Sequence, residues 1–407
     1  MKQVYRGLYC NIIIGIVAIP LLLMILNLFT NSVLGQDVFN EPDLFGVLED
    51  IDIPVMSINT LKSGKYQLEF EKYFINHLPM RKIETKIYNQ ILFSIFNSSD
   101  NLNIIVGRDN YLFEKDYPQA YLKEVTAQEE KLLVEKMEAL IELKNKLNEL
   151  GVVLIVRMSP SKAEHYSEYL PLSYKRFVQM KKNDLYSSNW YQIFKNRIKN
   201  TDIPFYDRHD LMQDMKNNGY TIFTKGGTHW TLAPMAEYIN GLNIYLERLL
   251  NKKIGKIIIK NEIDLIGQMG ISTDNDIWNI CWNALFMKPK YISPNITFST
   301  SPSEFFPNVL NVGQSFSNIL LNVIYSNIEL PVWNKTYFSW YNNRVFLYSN
   351  QDGLSMVDQI AERTEDFELY SNMDVIMIEF LEHSANPQST QFNFVYNFLD
   401  YLKEKEN

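Results

Sequence analysis

At 407 residues, 46% of them hydrophobic, the chain is long enough for one large domain or two smaller ones and apolar enough to bury a core, which excludes a disordered chain. A formal net charge of -8 leaves no basic excess to neutralise phosphates, which argues against a nucleic-acid binder. Only Cys10 and Cys281 are cysteines, so neither a disulfide framework nor a thiolate metal site is expected, and the five histidines are scattered singly.

From Tyr9 to Phe29 the chain is almost wholly apolar and carries no charge, after a head holding Lys2 and Arg6 but no acid. About 20 such residues span the hydrocarbon core as a helix, and Pro20, Asn11 and Asn27 are compatible with that. A cleaved signal peptide is the alternative, with Ser32-Val33-Leu34-Gly35 a weak small-residue site. The length of the run favours an uncleaved anchor over residues 1–30. The basic head then stays in the cytoplasm and places the rest of the chain on the extracytoplasmic side of the cell membrane. Residues 31–64 read as a polar, turn-rich spacer, and residues 65–407 as the domain proper.

Within that domain, apolar and aromatic residues recur at helical spacing from Tyr66 to Phe96, through Phe70, Tyr73 and Phe74, then Ile87, Ile91 and Leu92, and are expected in the core. Ile104 to Phe113 reads as a hairpin about Gly107-Arg108-Asp109-Asn110. Gln128 to Leu150 is an amphipathic helix with Leu132, Leu133, Met137, Leu140, Ile141 and Leu147 on one face, ended by Gly151. Val152 to Val156 has the continuous apolar character of a strand buried on both faces of a parallel sheet. A polar loop, Ser159-Pro160-Ser161-Lys162, follows it.

Helix-like and strand-like runs then alternate: Asp184 to Lys199, Ile203 to Tyr206, His209 to Asn217 and Thr221 to Thr224, followed by a helix that has Pro234 near its start and runs to Leu250. Residues 256 to 300 are less regular and read as an insertion or a sheet-edge region. Beyond the apolar run Val309 to Val312 and the helix-like Ile319 to Ile324 come strand candidates Val345 to Tyr348 and Val375 to Phe380. The helix-like Met356 to Phe367 lies between these two, and Gln391 to Glu406 is a closing amphipathic helix. The alternation predicts an α/β fold with a doubly wound, mainly parallel sheet whose sites gather at the carboxyl ends of the strands.

Two stretches could carry chemistry. In Val312-Gly313-Gln314-Ser315-Phe316-Ser317 a strand passes through a small-residue turn into a helix, which exposes Ser315 beside helix amides as a candidate nucleophile. The alternative is that Ser315 or Ser317 only caps the helix. In Thr224-Lys225-Gly226-Gly227-Thr228-His229-Trp230-Thr231 the histidine sits at a strand end, where it can reach a serine on a neighbouring strand and act as its general base. Its alternative is a histidine packed beside Trp230 and bonded to backbone.

Gly-Thr-His-Trp-Thr followed far downstream by Gly-Gln-Ser-Phe-Ser resembles the SGNH-hydrolase-like domain of the alginate O-acetyltransferase family and the related DHHW proteins of Gram-positive bacteria. Gly107-Arg108-Asp109-Asn110-Tyr111-Leu112-Phe113 is similar to that family's entry motif, and Val156 to Lys162 to its P-x-K loop. The resemblance covers roughly residues 65 to 400 and implies a Ser, His and Asp triad, with Ser315 and His229 as the first two members. It departs at Gly227, where the triad aspartate is expected, and at Gln314, where the family commonly has aspartate. Asp207 and Asp210 are the nearest upstream substitutes, with Asp207 the expected third member, although it could equally cap the helix near His209.

The resemblance implies acyl transfer to a polysaccharide through an acyl-serine, or ester hydrolysis by the same chemistry. It needs no metal or organic cofactor, and a membrane-bound O-acyltransferase is the implied partner. Gly227 alone would instead fit a degenerate relative that binds glycan or scaffolds a polysaccharide-modifying complex.

Overall fold

The structure, a computed structural model, describes residues 52–76, 81–176, 189–266, 276–281, 292–326, 332–340, 344–349, 353–355 and 367–406, with Leu22, Leu26 and Gln179. Two units emerge, Met1–Asn101 with Trp278–Lys288, and Leu102–Ile277 with Pro289–Asn407. The expected anchor over Tyr9 to Phe29 lies outside the described residues apart from Leu22 and Leu26. Among the described residues, no helix is long and apolar enough to cross a membrane.

In the first unit, helices Ile58–Lys62, Lys65–Asn76 and Arg81–Phe96 follow one another. The expected core positions Phe70, Ile87 and Ile91 are exposed. Helical spacing marks an apolar face without saying what covers it, and here the rings of Tyr66, Phe70 and Phe74 stack on one another along the helix.

The second unit carries the sheet. Its strands in chain order are β1 (Ile104–Val106), β2 (Leu112–Glu114), β3 (Val153–Ser159), β4 (Phe205–Tyr206), β5 (Ile257–Ile266), β6 (Ile292–Thr300), β7 (Asn308–Gly313), β8 (Lys335–Trp340), β9 (Arg344–Ser349), β10 (Gly353–Ser355) and β11 (Val375–Leu381). β1 and β2 form the expected hairpin, with Asp109 and Asn110 taking the left-handed conformation at its turn. The main sheet runs β10-β9-β8-β7-β11-β3-β4, parallel from β8 to β4 and antiparallel at the β8-β9-β10 edge.

Both faces of the sheet are covered. Helices Ala127–Glu149, Trp190–Lys199 and Gln391–Glu406 pack Leu140, Phe194 and Phe398 against Leu154, Val156, Leu310 and Ile376. On the opposite face, helices Leu232–Leu250 and Ser315–Ser326 pack Ile239, Leu242 and Leu320 against Ile155, Val309, Val375 and Met377. The alternation of odd and even strand residues between the two faces is the period of two that a strand imposes. The architecture is therefore the doubly wound, mainly parallel α/β sheet that the alternation predicts.

The strand expected at Thr221 to Thr224 is absent. Those residues form a loop with a single antiparallel bridge, Phe223 to Trp230, because the chain doubles back on itself there instead of joining the sheet. The irregular region 256 to 300 contains a two-stranded antiparallel ribbon, β5 with β6, and a short helix, Asp276–Cys281, between them. Most of the helix expected over Met356 to Phe367 lies outside the described residues.

The long helix Ala127–Glu149 opens with a capping box between Thr126 and Glu129. Leu133 and Leu140 on it are fully buried, whereas Leu132, expected on the same face, is 37% exposed because each helix position is turned by about 100° from the next and Leu132 falls at the edge of the buried stripe. Leu140→Ala should cost about 2–5 kcal/mol in a urea titration and Leu132→Ala within about 0.5 kcal/mol. Equal losses would mean that the buried face is misassigned.

Candidate active site

The crossover from β7 into the helix Ser315–Ser326 puts Ser315 at the carboxyl edge of the sheet, beside β11, the strand between the two directions of winding. This turn is built on a buried carboxylate. Glu379 on β11 faces Arg157 on β3 directly across the register, and the two side chains, both fully buried, pair at 3.1 Å. Oε2 of Glu379 accepts from the Gln314 amide at 2.8 Å and from Ser317 Oγ at 2.6 Å, and Oε1 accepts from Ser159 Oγ at 2.5 Å. Arg157 donates to Ser159, Asn311 and Ser317, so the charge pair is also hydrogen-bonded. A Cβ at Gly313 would stand 2.6 Å from Glu379 Oε2, so only glycine lets the strand end approach the carboxylate.

Ser317 is thus a buried member of the supporting network, while Ser315 is the serine turned toward His229. Ser315 Oγ lies 2.9 Å from His229 Nε2. On the far side of the ring, His229 Nδ1 lies 2.5 Å from Asp276 Oδ2. Asp276 Oδ1 is itself fixed by the Thr228 amide at 2.8 Å and the Ile277 amide at 2.7 Å. Imidazole nitrogens thus link serine on one side to carboxylate on the other, with the imidazole ring against Phe316 and largely buried.

The loop that carries His229 is clamped from three sides. Lys162 Nζ donates to the carbonyls of Leu112, Lys225 and Gly227 at 2.7, 2.9 and 2.8 Å. Thr228 Oγ1 donates to Glu114 Oε1 at 2.7 Å, and Thr231 returns to the chain through Thr221 and Ile222. Burial raises the Glu114 carboxyl above its ordinary range, opposed by the Thr228 hydrogen bond. Gly227 therefore contributes a carbonyl to the clamp and no side chain to His229.

Asp207 is not the carboxylate that meets His229. Its Oδ2 pairs with Lys195 at 2.7 Å and accepts from Tyr191 at 3.0 Å, while Oδ1 accepts the His209 amide at 3.0 Å at the start of helix His209–Asn217. Asp210 is exposed on the first turn of that helix. Asp276 was missed because it sits 47 positions after His229, in the irregular stretch between β5 and β6, with no local motif to mark it. Arg157 and Glu379 did leave a signal. Each is a lone charge inside an otherwise apolar strand, and a charge there requires a partner.

Burial pulls the Lys162 ammonium from 10.5 down to about 7, opposed by the charges of Asp276 and Glu114. Between about 7 and 10.5 the unfolded chain then holds a proton that the folded chain has released, so this group makes stability rise with pH, by at most ~1.4 kcal/mol per unit. Below that window both states are protonated and the contribution is flat. Denaturant titrations of wild type and Lys162→Met across the window should diverge in favour of wild type as pH rises. A constant difference would mean that the three carbonyls keep the amine charged.

Residues 104–235 match the family model described as the SGNH hydrolase-like domain of the acetyltransferase AlgX. A probable alginate O-acetylase AlgJ of Pseudomonas putida is 26% identical over 172 residues, 42% of this chain and 41% of that protein. The chain thus spans about two fifths of the curated relatives it matches. Among solved structures, the O-acetyltransferase domain of Pseudomonas putida AlgJ aligns with a TM-score of 0.44 at 18% identity, over 73% of this chain and 99% of that one. Pseudomonas aeruginosa AlgX aligns with a TM-score of 0.43 at 17% identity, over 72% and 66%. Residues 104–235, the segment that brings the hairpin, the P-x-K loop and His229, are thus similar to the SGNH hydrolase-like domain of the alginate O-acetyltransferases.

Proposed function

We propose that the protein is a membrane-anchored, extracytoplasmic O-acetyltransferase, or an esterase of the same chemistry, acting on a cell-surface or exported polysaccharide through an acyl-serine. The observation that carries this reading is the line Ser315 Oγ, His229 Nε2, His229 Nδ1, Asp276 Oδ2, with contacts of 2.9 and 2.5 Å. The names of the relatives support the acyl group as acetyl, and the apolar run Tyr9 to Phe29 supports the anchor.

In this reading Asp276 holds the Nδ1–H tautomer of His229, so that Nε2 is free to accept the Ser315 proton. Ser315 Oγ attacks the acetyl carbonyl of the donor, and the tetrahedral oxyanion is met by the first amides of helix Ser315–Ser326, which have no intrahelical partner. The Gln314 amide is not one of them, since Glu379 already occupies it. The intermediate collapses, and the leaving oxygen takes the proton from His229. A sugar hydroxyl then gives its proton to His229 and attacks the acyl-serine, releasing the acetylated polymer and restoring Ser315. Water in place of the sugar gives the esterase.

An extracytoplasmic site has no direct access to cytosolic acyl-CoA. A membrane partner that passes the acyl group across, of the membrane-bound O-acyltransferase class, fits that constraint. The alternative, a degenerate, glycan-binding relative, rests on Gly227, and the contact of Asp276 with the far nitrogen of His229 supports the catalytic reading over it.

Polymer-bound acetate should fall to the background level in cells carrying Ser315→Ala in place of wild type, and equal acetylation would refute a catalytic serine. With a chromogenic acetyl ester and purified protein, Asp276→Asn should lower turnover about 10⁴-fold with little change in KM. Turnover within a few-fold of wild type would show that Asp276 does not serve His229 in catalysis.

A further inference from the structure

We infer that His165, His209 and Glu382 form a binding site for one divalent transition-metal ion of the zinc class, in addition to the Ser315 site and independent of its proposed activity. The three residues come from the carboxyl ends of three adjacent parallel strands. His165 ends the short helix Lys162–His165 after β3, His209 opens the helix after β4, and Glu382 directly follows β11. One ligand atom from each lies within 4.8 Å of the other two.

Two of the three ligand-atom separations are near those of a three-coordinate protein cage, while the third, between the two imidazoles, is within 4.8 Å and closes by up to roughly 1.5 Å on binding. Glu382 Oε1 stands 3.7 Å from His165 Nε2 and 2.8 Å from His209 Nδ1. Bonds of about 2.0–2.1 Å to a tetrahedral ion put its ligand atoms roughly 3.3 Å apart, so the first pair closes and the second opens by roughly 0.5 Å each. Glu382 is held for the purpose: its other oxygen accepts the Ser161 amide at 2.7 Å, and its own amide bonds the Ser159 carbonyl at 3.1 Å. Oε1 is left facing both rings. The remaining nitrogen of His209, Nε2, lies 4.0 Å from Glu164 Oε1, which is beyond a direct hydrogen bond but puts a carboxylate on the outer side of the ring.

Charge argues the same way. Glu382 is buried with its Oε1 between the two rings, and with both imidazoles neutral, as metal ligation requires, a divalent cation supplies its counter-charge. Two imidazoles and a carboxylate select zinc and its neighbours over calcium or magnesium, which take oxygen ligands, and they leave one position open. The competing occupant is a proton on His209, bridging Glu382 and Glu164.

The test is a titration of the chelator-treated, purified full chain with Co²⁺ alone and with Zn²⁺ alone. Wild type should take up about one equivalent, show the visible absorption of four-coordinate cobalt, and unfold at a higher temperature with the ion than without it. His209→Gln and Glu382→Gln should each abolish uptake, while His229→Ala should retain it, which separates this site from the His229 and Asp276 pair. His165→Cys should keep the ion and add a sulfur-to-cobalt charge-transfer band, a readout that a merely structural histidine would not produce. Folded wild type that takes up no ion overturns the inference whether or not any variant folds. So does uptake unchanged in folded His209→Gln and Glu382→Gln, and in either case the cluster is a proton-bridged ion pair.

Discussion

A single buried carboxylate sets the reactive turn. Glu379 stands on β11 with no solvent to satisfy it, so its two oxygens must be paid for by protein donors, and those donors are the residues that shape the turn after β7. The Gln314 amide and the Ser317 hydroxyl bend toward it, Gly313 makes room, and Arg157 across the register supplies the charge. Ser315, caught between Gln314 and Ser317, is left pointing the other way, toward His229. Since a one-residue slip of β11 would send Glu379 to the opposite face, sheet register and placement of the serine are one constraint.

The imidazole and its carboxylate are held by different means. The His229 loop is fastened to the hairpin β1-β2 and to the loop after β3, through Lys162 and Glu114. Asp276 arrives from the stretch between β5 and β6 and is fastened to the His229 loop itself by the Thr228 amide. A triad is defined by the roles of its members and not by their positions in the chain. A carboxylate two residues before the histidine and one 47 residues after it are therefore chemically equivalent if both reach Nδ1. The glycine at 227 is then not a gap, because that backbone is engaged by Lys162.

The same carboxyl edge carries a second polar cluster farther along the sheet, toward β4. Apolar strands deliver polar residues to this edge because the sheet is covered on both faces and only strand ends leave the core. Lys162, His165, Asp207, His209 and Glu382 all lie within a few residues of such an end. Helix Lys162–His165 joins the two regions, with one end clamping the His229 loop and the other facing Glu382.

The amino-acid sequence by itself determined the elements and their kind. The apolar runs at Val152 to Val156, Val309 to Val312 and Val375 to Phe380 are strands, the amphipathic runs around them are helices, and Ser315 stands at a strand end, all from periodicity and local motif, whereas His229 stands on a loop. It could not say that Thr221 to Thr224 turns back into a loop, or that Phe70, Ile87 and Ile91 stay exposed, because the pattern of an element does not name what it packs against. Tertiary structure alone decided that Asp276 and not Asp207 meets His229, and that His165, His209 and Glu382 converge. A side chain's role at a site depends on distances of a few ångströms, and residues brought that close here lie from 44 to 217 positions apart, beyond the reach of any local pattern.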